Sequence, residues 1–224
     1  MKAAPVFTFL LVATPAAATP VTGKLELPPA PERPAVITKG FIDRVENPKK
    51  NVQGMNVAPQ LLVVLEGEPK TESTAQVTWE LVGESFGKPV IGVPAGAEIV
   101  IRNTSRTART LAAAENPGLI PPGPSNASGG KTFKAPAAAG VFTIGDKDAP
   151  HLRGKLVVVT TPHIANVDAA GKFDLGDVPE GTYKLRVFYK DNWIDRPDQT
   201  VAVPAKGKVD INDVKIPAGF PLKK

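Results

Sequence analysis

The sequence of 224 residues contains no cysteine, and this absence excludes several kinds of chemistry at once. The chain can form no disulfide bond, supply no thiolate to a metal ion, use no cysteine nucleophile and carry no lipid on a cysteine. Histidine occurs only twice, which leaves little material for a set of imidazole ligands or for a Ser–His catalytic pair. Stability must therefore come from apolar burial and from strand pairing.

A long apolar stretch is also missing. Residues 6–12 form an apolar run that is too short to span a bilayer, but they follow Lys2 and precede the small residues 16–18. This order is typical of a secretory signal peptide, so we expect residues 1–18 to be removed by cleavage near Ala18. The mature protein would then be periplasmic or secreted, without a membrane span.

Charge of one sign is not concentrated anywhere in the chain. The sequence carries 27 basic and 22 acidic residues, a formal net charge of +5. The excess is spread along the chain, whereas a nucleic-acid-binding surface would show a basic tract with interleaved aromatics. We therefore expect a mildly basic surface and no nucleic-acid partner.

Proline (24 residues) and glycine (20 residues) are abundant, and they separate short apolar or alternating runs. Runs that recur about every ten residues predict an all-β protein without amphipathic helices. Residues 60–67 are continuously apolar, as in a buried strand, and the alternation in 76–82 places Trp79 on the core face. The predicted strands of this first unit are 60–67, 76–82, 89–93, 97–103, 106–113, 131–134, 140–144 and 154–161.

A second unit begins after Pro162. The sequence DAAG at 168–171 predicts a hairpin turn, since Asp accepts hydrogen bonds from the backbone ahead of it and glycine tolerates positive φ. The strand at 182–189 alternates, so that Phe188 and Tyr189 fall on opposite faces. Further strands are predicted at 164–167, 172–175, 200–203 and 208–215.

An ordered set of short motifs connects the two units. Its pieces are the strand at 61–67, Phe86 to Gly96, Pro121-Pro122-Gly123, Thr132-Phe133, Gly140-Val141-Phe142, and then Asp168, Gly171, Phe173, Val178-Pro179, Gly181, Tyr183 and Leu185. In this order they resemble exported bacterial plastocyanin-like (cupredoxin) proteins that carry a carboxypeptidase-regulatory-like, transthyretin-like segment. The resemblance spans roughly residues 60–214. It implies a cupredoxin-like Greek-key β-sandwich followed by a small transthyretin-like β-sheet domain.

The resemblance also implies a division of the chain. We expect a signal peptide (1–18), a Pro-rich N-terminal region (19–59), a cupredoxin-like domain (60–160), a carboxypeptidase-regulatory-like β domain (161–216) and a tail (217–224). The Pro-rich region would form a linker or a peripheral strand around residues 24–27.

The copper ligands that the resemblance implies are all missing. The first histidine would fall at Arg109, the cysteine at Asp146, the second histidine at Ala149 and the methionine at Leu152. A blue-copper centre needs a thiolate and two imidazoles with a weak axial ligand, so this chain cannot build one and we expect no cofactor. We hypothesise that Arg109 and Asp146 pair across the former copper pocket. The alternative is that both side chains point into solvent and contribute little.

Other site chemistry has weaker support. His151 and His163, with Asp146 or Asp148 nearby, leave a non-blue metal site as a less favoured alternative. No serine lies at a motif spacing from a histidine, and no pair of carboxylates stands out from the rest. We therefore predict that the protein is not an enzyme.

The segment 188–196 (FYKDNWIDR) is one candidate for a partner surface. It follows a strand and mixes aromatics with charge, so Phe188, Tyr189 and Trp193 could stack on carbohydrate or dock a protein. The favoured interpretation is still partial burial of these rings under the following loop. The first place to look for a partner surface is the loops at 104–130 and 145–154, since loops on a rigid sandwich commonly carry binding.

Together these features favour a non-enzymatic exported binding or structural protein whose sandwich has lost its copper site. Its partner would be an envelope protein or a polysaccharide. The alternative is a carbohydrate-binding module that acts through the 188–196 edge.

Overall fold

The computed structural model describes residues 18–27, 57–67, 75–194 and 199–215, and over these ranges the protein is all-β as predicted. They contain no α-helix, and their one helical element is a 3₁₀ turn at Ala58–Gln60. The sixteen strands are β1 Ala18–Glu26, β2 Leu61–Glu66, β3 Gln76–Val82, β4 Ser85–Phe86, β5 Val90–Pro94, β6 Glu98–Asn103, β7 Leu111–Ala113, β8 Gly130–Lys134, β9 Gly140–Asp146, β10 Arg153–Val159, β11 Ile164–Asn166, β12 Lys172–Pro179, β13 Gly181–Tyr189, β14 Asn192–Trp193, β15 Gln199–Val203 and β16 Val209–Lys215.

These strands form four sheets. Sheet 1 has the order β12-β1-β16, and sheet 2 has the order β11-β2-β13-β14 with β15 also paired to β13. Sheet 3 has the order β5-β10-β9-β7, and sheet 4 has the order β4-β3-β6-β8. Three neighbouring pairs are parallel, namely β1 with β16, β5 with β10 and β3 with β6.

Each gap between successive sheets holds an apolar core, so the sheets stack in the order 1, 2, 3, 4. The core between sheets 1 and 2 contains Val21, Leu25, Leu61, Val63, Leu65, Phe173, Tyr183, Val187 and Tyr189 among others. The core between sheets 3 and 4 contains Trp79, Leu81, Ile99, Ile101, Ile144, Leu152 and Leu156 among others. We call sheets 1 and 2 the terminal sheet pair, because they use both ends of the described chain, and sheets 3 and 4 the central sheet pair.

A smaller core joins the two sheet pairs. Leu62 and Phe188 from sheet 2 pack with Val157 of sheet 3. Gly92 of sheet 3 permits this close approach, since a Cβ there would overlap the side chains of Leu62 and Ile164. Sheet 2 is therefore buried on both faces, which sets it apart from a sheet with one solvent face.

Most of the predicted strands are found close to their predicted positions. The strand expected at 106–113 is reduced to Leu111–Ala113, because the preceding backbone is used in a bridge between Arg109 and Ser125. The two-residue strands β4 and β14 were not predicted, since two residues show no alternation.

The predicted boundaries need correction at strand β2. We expected residues 60–67 to open a domain that ends at 160, but β2 pairs with β11 and β13 and so belongs to the terminal sheet pair. Its continuous apolar run reflects burial on both faces of sheet 2 and carries no information about which strands lie beside it. The central sheet pair comprises residues 76–159 alone.

The N-terminal region forms a strand where one was expected, around residues 24–27, but this strand is longer than expected and central rather than peripheral. Strand β1 is the middle strand of sheet 1, and it inserts Thr19, Val21 and Leu25 into the core by simple alternation. The predicted signal peptide lies outside the described residues except at Ala18, as do most of the Pro-rich region and the tail at 217–224.

Candidate functional site

Buried polar groups gather at one end of the central sheet pair. Among the described residues seven buried side chains are polar or charged, and five of them lie here: Asn103, Ser105, Arg109, Ser125 and Asp146. Burying such groups is unfavourable unless each finds a partner, so a cluster of them marks a place where the fold serves more than packing. We call these five residues the polar cluster.

Asn103, at the end of β6, organises the loop that follows it. Its side-chain amide donates to the backbone oxygens of Thr107 (2.9 Å), Ser125 (3.0 Å) and Asn126 (3.2 Å). Its Oδ1 accepts from the backbone N–H of Ser105 (3.0 Å) and from the Ser105 hydroxyl (2.6 Å). One side chain thus holds two distant parts of the loop against the end of the sheet.

Arg109 is placed by this same loop. Its backbone forms a two-way bridge with Ser125, with N···O distances of 2.9 and 2.7 Å. The guanidinium turns inward, where Nη1 lies 3.4 Å from Asp146 Oδ2 and Nη2 lies 3.8 Å from Glu84 Oε1. The side chains of Arg109 and Asp146 are 9% and 1% exposed, whereas Glu84 is 72% exposed. The pair hypothesised from the sequence is therefore present, and the alternative of two solvated side chains is wrong.

Asp146 ends β9 and opens the tight loop to β10. Its Oδ1 accepts from the backbone N–H of Asp148 (3.0 Å), and its own N–H lies 3.3 Å from the carbonyl of Leu152. The N–H of Leu152 in turn donates to Ala149 (2.9 Å), and both of these side chains are buried. Direct contacts thus link all four positions that the resemblance assigned to copper ligands, although no ligand-type group except a carboxylate stands there.

The arrangement is chemically unsuited to a metal cation. The groups that meet are a guanidinium, a carboxylate and two aliphatic side chains, and the fixed positive charge of Arg109 opposes a second cation nearby. Two polar atoms of the polar cluster are buried without a hydrogen-bond partner, namely Arg109 Nε and Ser125 Oγ. The described part of the chain contains no group of three or more His, Asp or Glu residues suited to holding a metal ion.

The two histidines lie in different places. His151 is exposed and sits at the rim of the polar cluster, with Nε2 3.2 Å from Glu84 Oε2. His163 is half-buried in the terminal sheet pair, where its ring meets Tyr183 edge-on at 5.9 Å. Burial lowers the pKa of His163. The structure therefore does not bring the two imidazoles together.

The predicted aromatic surface needs correction. Phe188 is fully buried between sheets 2 and 3, and Tyr189 is buried between sheets 1 and 2. Trp193 is half-buried; its ring meets Phe188 edge-on at 5.3 Å and carries the Arg186 guanidinium 4.1 Å above its centroid. Alternation correctly predicted that the first two rings face opposite ways, but both faces of sheet 2 are covered. The three rings therefore offer no platform to a sugar.

A groove of about 720 Å³ lies beside the polar cluster, and most of its lining residues fall in the three segments expected from the sequence to offer partner surfaces, namely 104–130, 145–154 and 188–196. Its floor is the outer face of sheet 3, which carries Arg153 and Lys155, and its rim includes Lys147 and Lys190. The alternation in 153–159 contains a signal for it, since Arg153 and Lys155 must share a face with Val157 and Val159. The alternation does not show how far sheet 2 extends over this face of β10.

Hydrogen bonds order the floor of this groove. Lys155 Nζ lies 2.9 Å from both Asp191 Oδ1 and Thr143 Oγ1. Glu115 accepts from the backbone N–H (2.6 Å) and the hydroxyl (2.7 Å) of Thr143. Burial opposes ionisation of Glu115, but the Thr143 hydrogen bonds and the charge of Lys155 together hold its pKa below the usual value.

Comparisons with known proteins return structural neighbours and no family. The chain matches no protein-family model, and no curated protein sequence matches it significantly. Among solved structures it is similar to an amicyanin mutant in its reduced Cu(I) form at pH 4, with 14% sequence identity and a TM-score of 0.34, over 43% of this chain and 98% of the amicyanin chain. An oxidized amicyanin mutant aligns with the same four values. The described residues include no helix that is long and apolar enough to cross a membrane.

Proposed function

We propose that the protein is a non-enzymatic exported binding or structural protein, built on a cupredoxin-like Greek-key sandwich whose copper site has been replaced by a buried ion pair. In this proposal the central sheet pair is the cupredoxin-like unit. The terminal sheet pair contains the transthyretin-like segment, completed by β1 and β2. The partner is an envelope protein or a polysaccharide.

The observation that carries this proposal is the Arg109–Asp146 pair. The sequence resemblance assigns these two positions to the first histidine and the cysteine of a blue-copper site, and the two side chains meet at 3.4 Å in a buried pocket. A guanidinium and a carboxylate bridge two loops much as a shared metal ion would. The pair keeps the loops in place while its charge excludes a cation from the pocket.

Among the described residues, the serine hydroxyls of the polar cluster have no base within reach, as a binding role would require. The Ser105 hydroxyl lies 2.6 Å from Asn103 Oδ1 and 3.0 Å from the carbonyl oxygen of Thr107, and Ser125 Oγ has no hydrogen-bond partner. Proton abstraction from a serine needs a base within hydrogen-bond reach.

Export is proposed from the sequence of residues 1–18. Mass spectrometry of the native protein would test it, since cleavage of the signal peptide predicts a mature N-terminus near Ala18.

A reconstruction experiment tests the proposed ancestry of the site. The variant Arg109→His/Asp146→Cys/Ala149→His/Leu152→Met restores the ligand set of a blue-copper centre. We expect it to bind one Cu(II) ion with the intense visible absorption of a thiolate–copper bond, whereas the natural protein binds neither copper nor zinc tightly. The matched control carries Asp146→Ser in place of Asp146→Cys, which leaves three of the four changes but supplies no thiolate.

Two results would contradict the proposal. The first is sub-micromolar copper or zinc binding by the natural protein in a calorimetric titration. The second is a reconstructed variant that keeps the β-sheet circular dichroism spectrum of the natural protein and yet acquires no visible absorption with Cu(II).

A further inference from the structure

The groove on sheet 3 exists because sheet 2 covers only part of that sheet's outer face. On β10 the outward residues Val157 and Val159 are buried against sheet 2, while Arg153 and Lys155 on the same face are not covered by it. Along this face of β10 the residues change from valine to cationic side chains at the point where sheet 2 no longer covers the strand. The uncovered part of the outer face of sheet 3 is thus a separate, cationic surface.

Two rows of paired residues make the floor of this groove. One row runs across the strands through Ala112, Gly145 and Arg153, and the second runs through Thr143 and Lys155. Small side chains at the first two positions leave the floor flat and let a ligand approach the backbone closely. The volume of about 720 Å³ is in the range of small-molecule sites.

The charge of the groove is positive. Four cations line it, namely Lys147, Arg153, Lys155 and Lys190. Asp146 turns inward to Arg109, so the carboxylates left to face the cations are Asp191, which pairs with Lys155, and Glu115, which is bonded to Thr143. Within the described residues Lys147, Arg153 and Lys190 form no ion pair, and two more positive than negative charges therefore face the groove.

We propose that this groove binds a small organic anion that carries two or more carboxylate or phosphate groups. Arg153 and Lys155 are two residues apart on one strand, which separates their backbones by about 7 Å and suits two anionic groups of one molecule. Arg153 offers a planar fork to one group, and Lys147 and Lys190 reach it from the loops at either rim. None of the described residues that line the groove is aromatic, so charge rather than stacking selects the ligand.

This inference rests on the proposed function, because it names the class of ligand that a binding protein of this fold would take. The two proposals fail separately. The metal titration and the reconstructed copper site report only on the pocket around Arg109 and Asp146. Anion binding reports only on the open face of sheet 3.

The test is isothermal titration calorimetry of the full chain with citrate and with pyrophosphate at low ionic strength. Citrate represents the carboxylate source of the shared chemistry, and pyrophosphate represents the phosphate source. We expect one of the two to bind with a dissociation constant tighter than about 1 mM. Backbone amide shifts in an NMR titration should then be largest at Thr143, Gly145 and Arg153.

Two variants of equal charge change locate the site. Lys147→Gln/Arg153→Gln should weaken binding of that anion by about tenfold or more, because charge-assisted hydrogen bonds to the ligand are lost. The control Arg102→Gln/Lys206→Gln removes two exposed cations outside the groove and should change the affinity less than about twofold, since exposed distant charges are screened. The inference is overturned if neither anion binds more tightly than about 1 mM, or if the control variant weakens binding as much as the groove variant.

Discussion

The two sheet pairs of this protein treat buried polarity in opposite ways. The terminal sheet pair encloses a core of aliphatic and aromatic side chains, and its buried polar residue in a strand, Thr19, is satisfied by one hydrogen bond to the carbonyl of Pro204 (2.7 Å). The central sheet pair carries the five-residue polar cluster at one end. Since buried polar groups reduce stability unless they are fully paired, the difference separates a packing scaffold from a unit that holds a site.

The difference also explains where the groove lies. The terminal sheet pair contributes sheet 2, whose outer face covers part of sheet 3 and stops short of β7 and the start of β10. The groove on the central sheet pair is thus bounded on one side by loops of that pair and on the other side by the terminal sheet pair. Four predictions test this view of a scaffold joined to a site.

The largest effect is expected at the joint between the sheet pairs. Phe188→Ala should lower the free energy of unfolding by about 4 kcal/mol, because it leaves a cavity in a small core that has few other side chains to close it. Urea unfolding followed by Trp fluorescence should also split into two transitions as the sheet pairs uncouple. The control Val82→Ala changes an apolar side chain that is 51% exposed and should alter stability by less than about 0.5 kcal/mol. A loss no larger than the control's would show that the pairs are not joined here.

The next effect is expected at the ion pair. Asp146→Ala leaves the Arg109 guanidinium buried beside only the exposed Glu84, and should lower the free energy of unfolding by about 3 kcal/mol. The double variant Arg109→Met/Asp146→Leu removes both charges and should recover most of that loss. Chemical denaturation at pH 7 measures both. A single variant as stable as the natural protein would contradict a buried, mutually dependent pair.

A smaller effect separates the two sheet pairs directly. Asn103→Ala removes an amide that satisfies three backbone carbonyls and should lower the free energy of unfolding by about 2 kcal/mol. Its counterpart in the terminal sheet pair, Thr19→Val, loses one hydrogen bond and should lower it by about 1 kcal/mol or less. Both losses of unfolding free energy are obtained from the denaturation midpoints, with the same dependence of that free energy on denaturant concentration for each variant. Equal losses would mean that the polar cluster is no more organised than an ordinary buried hydroxyl.

The smallest effect is a pH dependence in the terminal sheet pair. Burial holds the pKa of His163 below its usual value of 6.5, so the unfolded chain binds this proton more readily than the folded protein. Stability from this source is present above pH 6.5 and is lost as the pH falls below it. His163→Gln should flatten the slope of unfolding free energy against pH as the pH falls below 6.5. The control His151→Gln keeps His163 and should keep the slope; a slope unchanged in His163→Gln would contradict the assignment.

Much of this fold was predictable because strand periodicity is a local property. The alternation in 182–189 correctly assigned each residue of β13 to a face, and the core position of Trp79 followed from the alternation in β3. The Arg109–Asp146 pair was also anticipated, because the resemblance related two positions that are 37 residues apart. These successes depend on backbone geometry or on a known arrangement of strands.

The errors share a physical cause, which is that the sequence does not show what covers a strand face. Phe188 and Tyr189 were candidates for a surface because their segment follows a strand and mixes aromatics with charge, a pattern that does not show whether both faces of sheet 2 are covered. Strand β2 was placed with the strands that follow it in the chain, since hydrogen-bond partners between distant segments leave no local pattern. The segments 104–130, 145–154 and 188–196 contain most of the lining of the groove, but its shape could not be predicted for the same reason, because Arg153 and Lys155 look like any exposed pair until sheet 2 is in place.

The amino-acid sequence by itself determined that this is an all-β protein without thiolate chemistry, because side-chain composition and a period of two act through local backbone geometry. Only the tertiary structure decided that four sheets stack, that the aromatic segment is buried and that a cationic groove stays open. Those outcomes depend on which faces meet across long distances in the chain. Apolar burial is non-directional, so many different pairings of sheet faces would be stabilised by it. Which pairing forms is decided by how well the side chains of the whole molecule pack together.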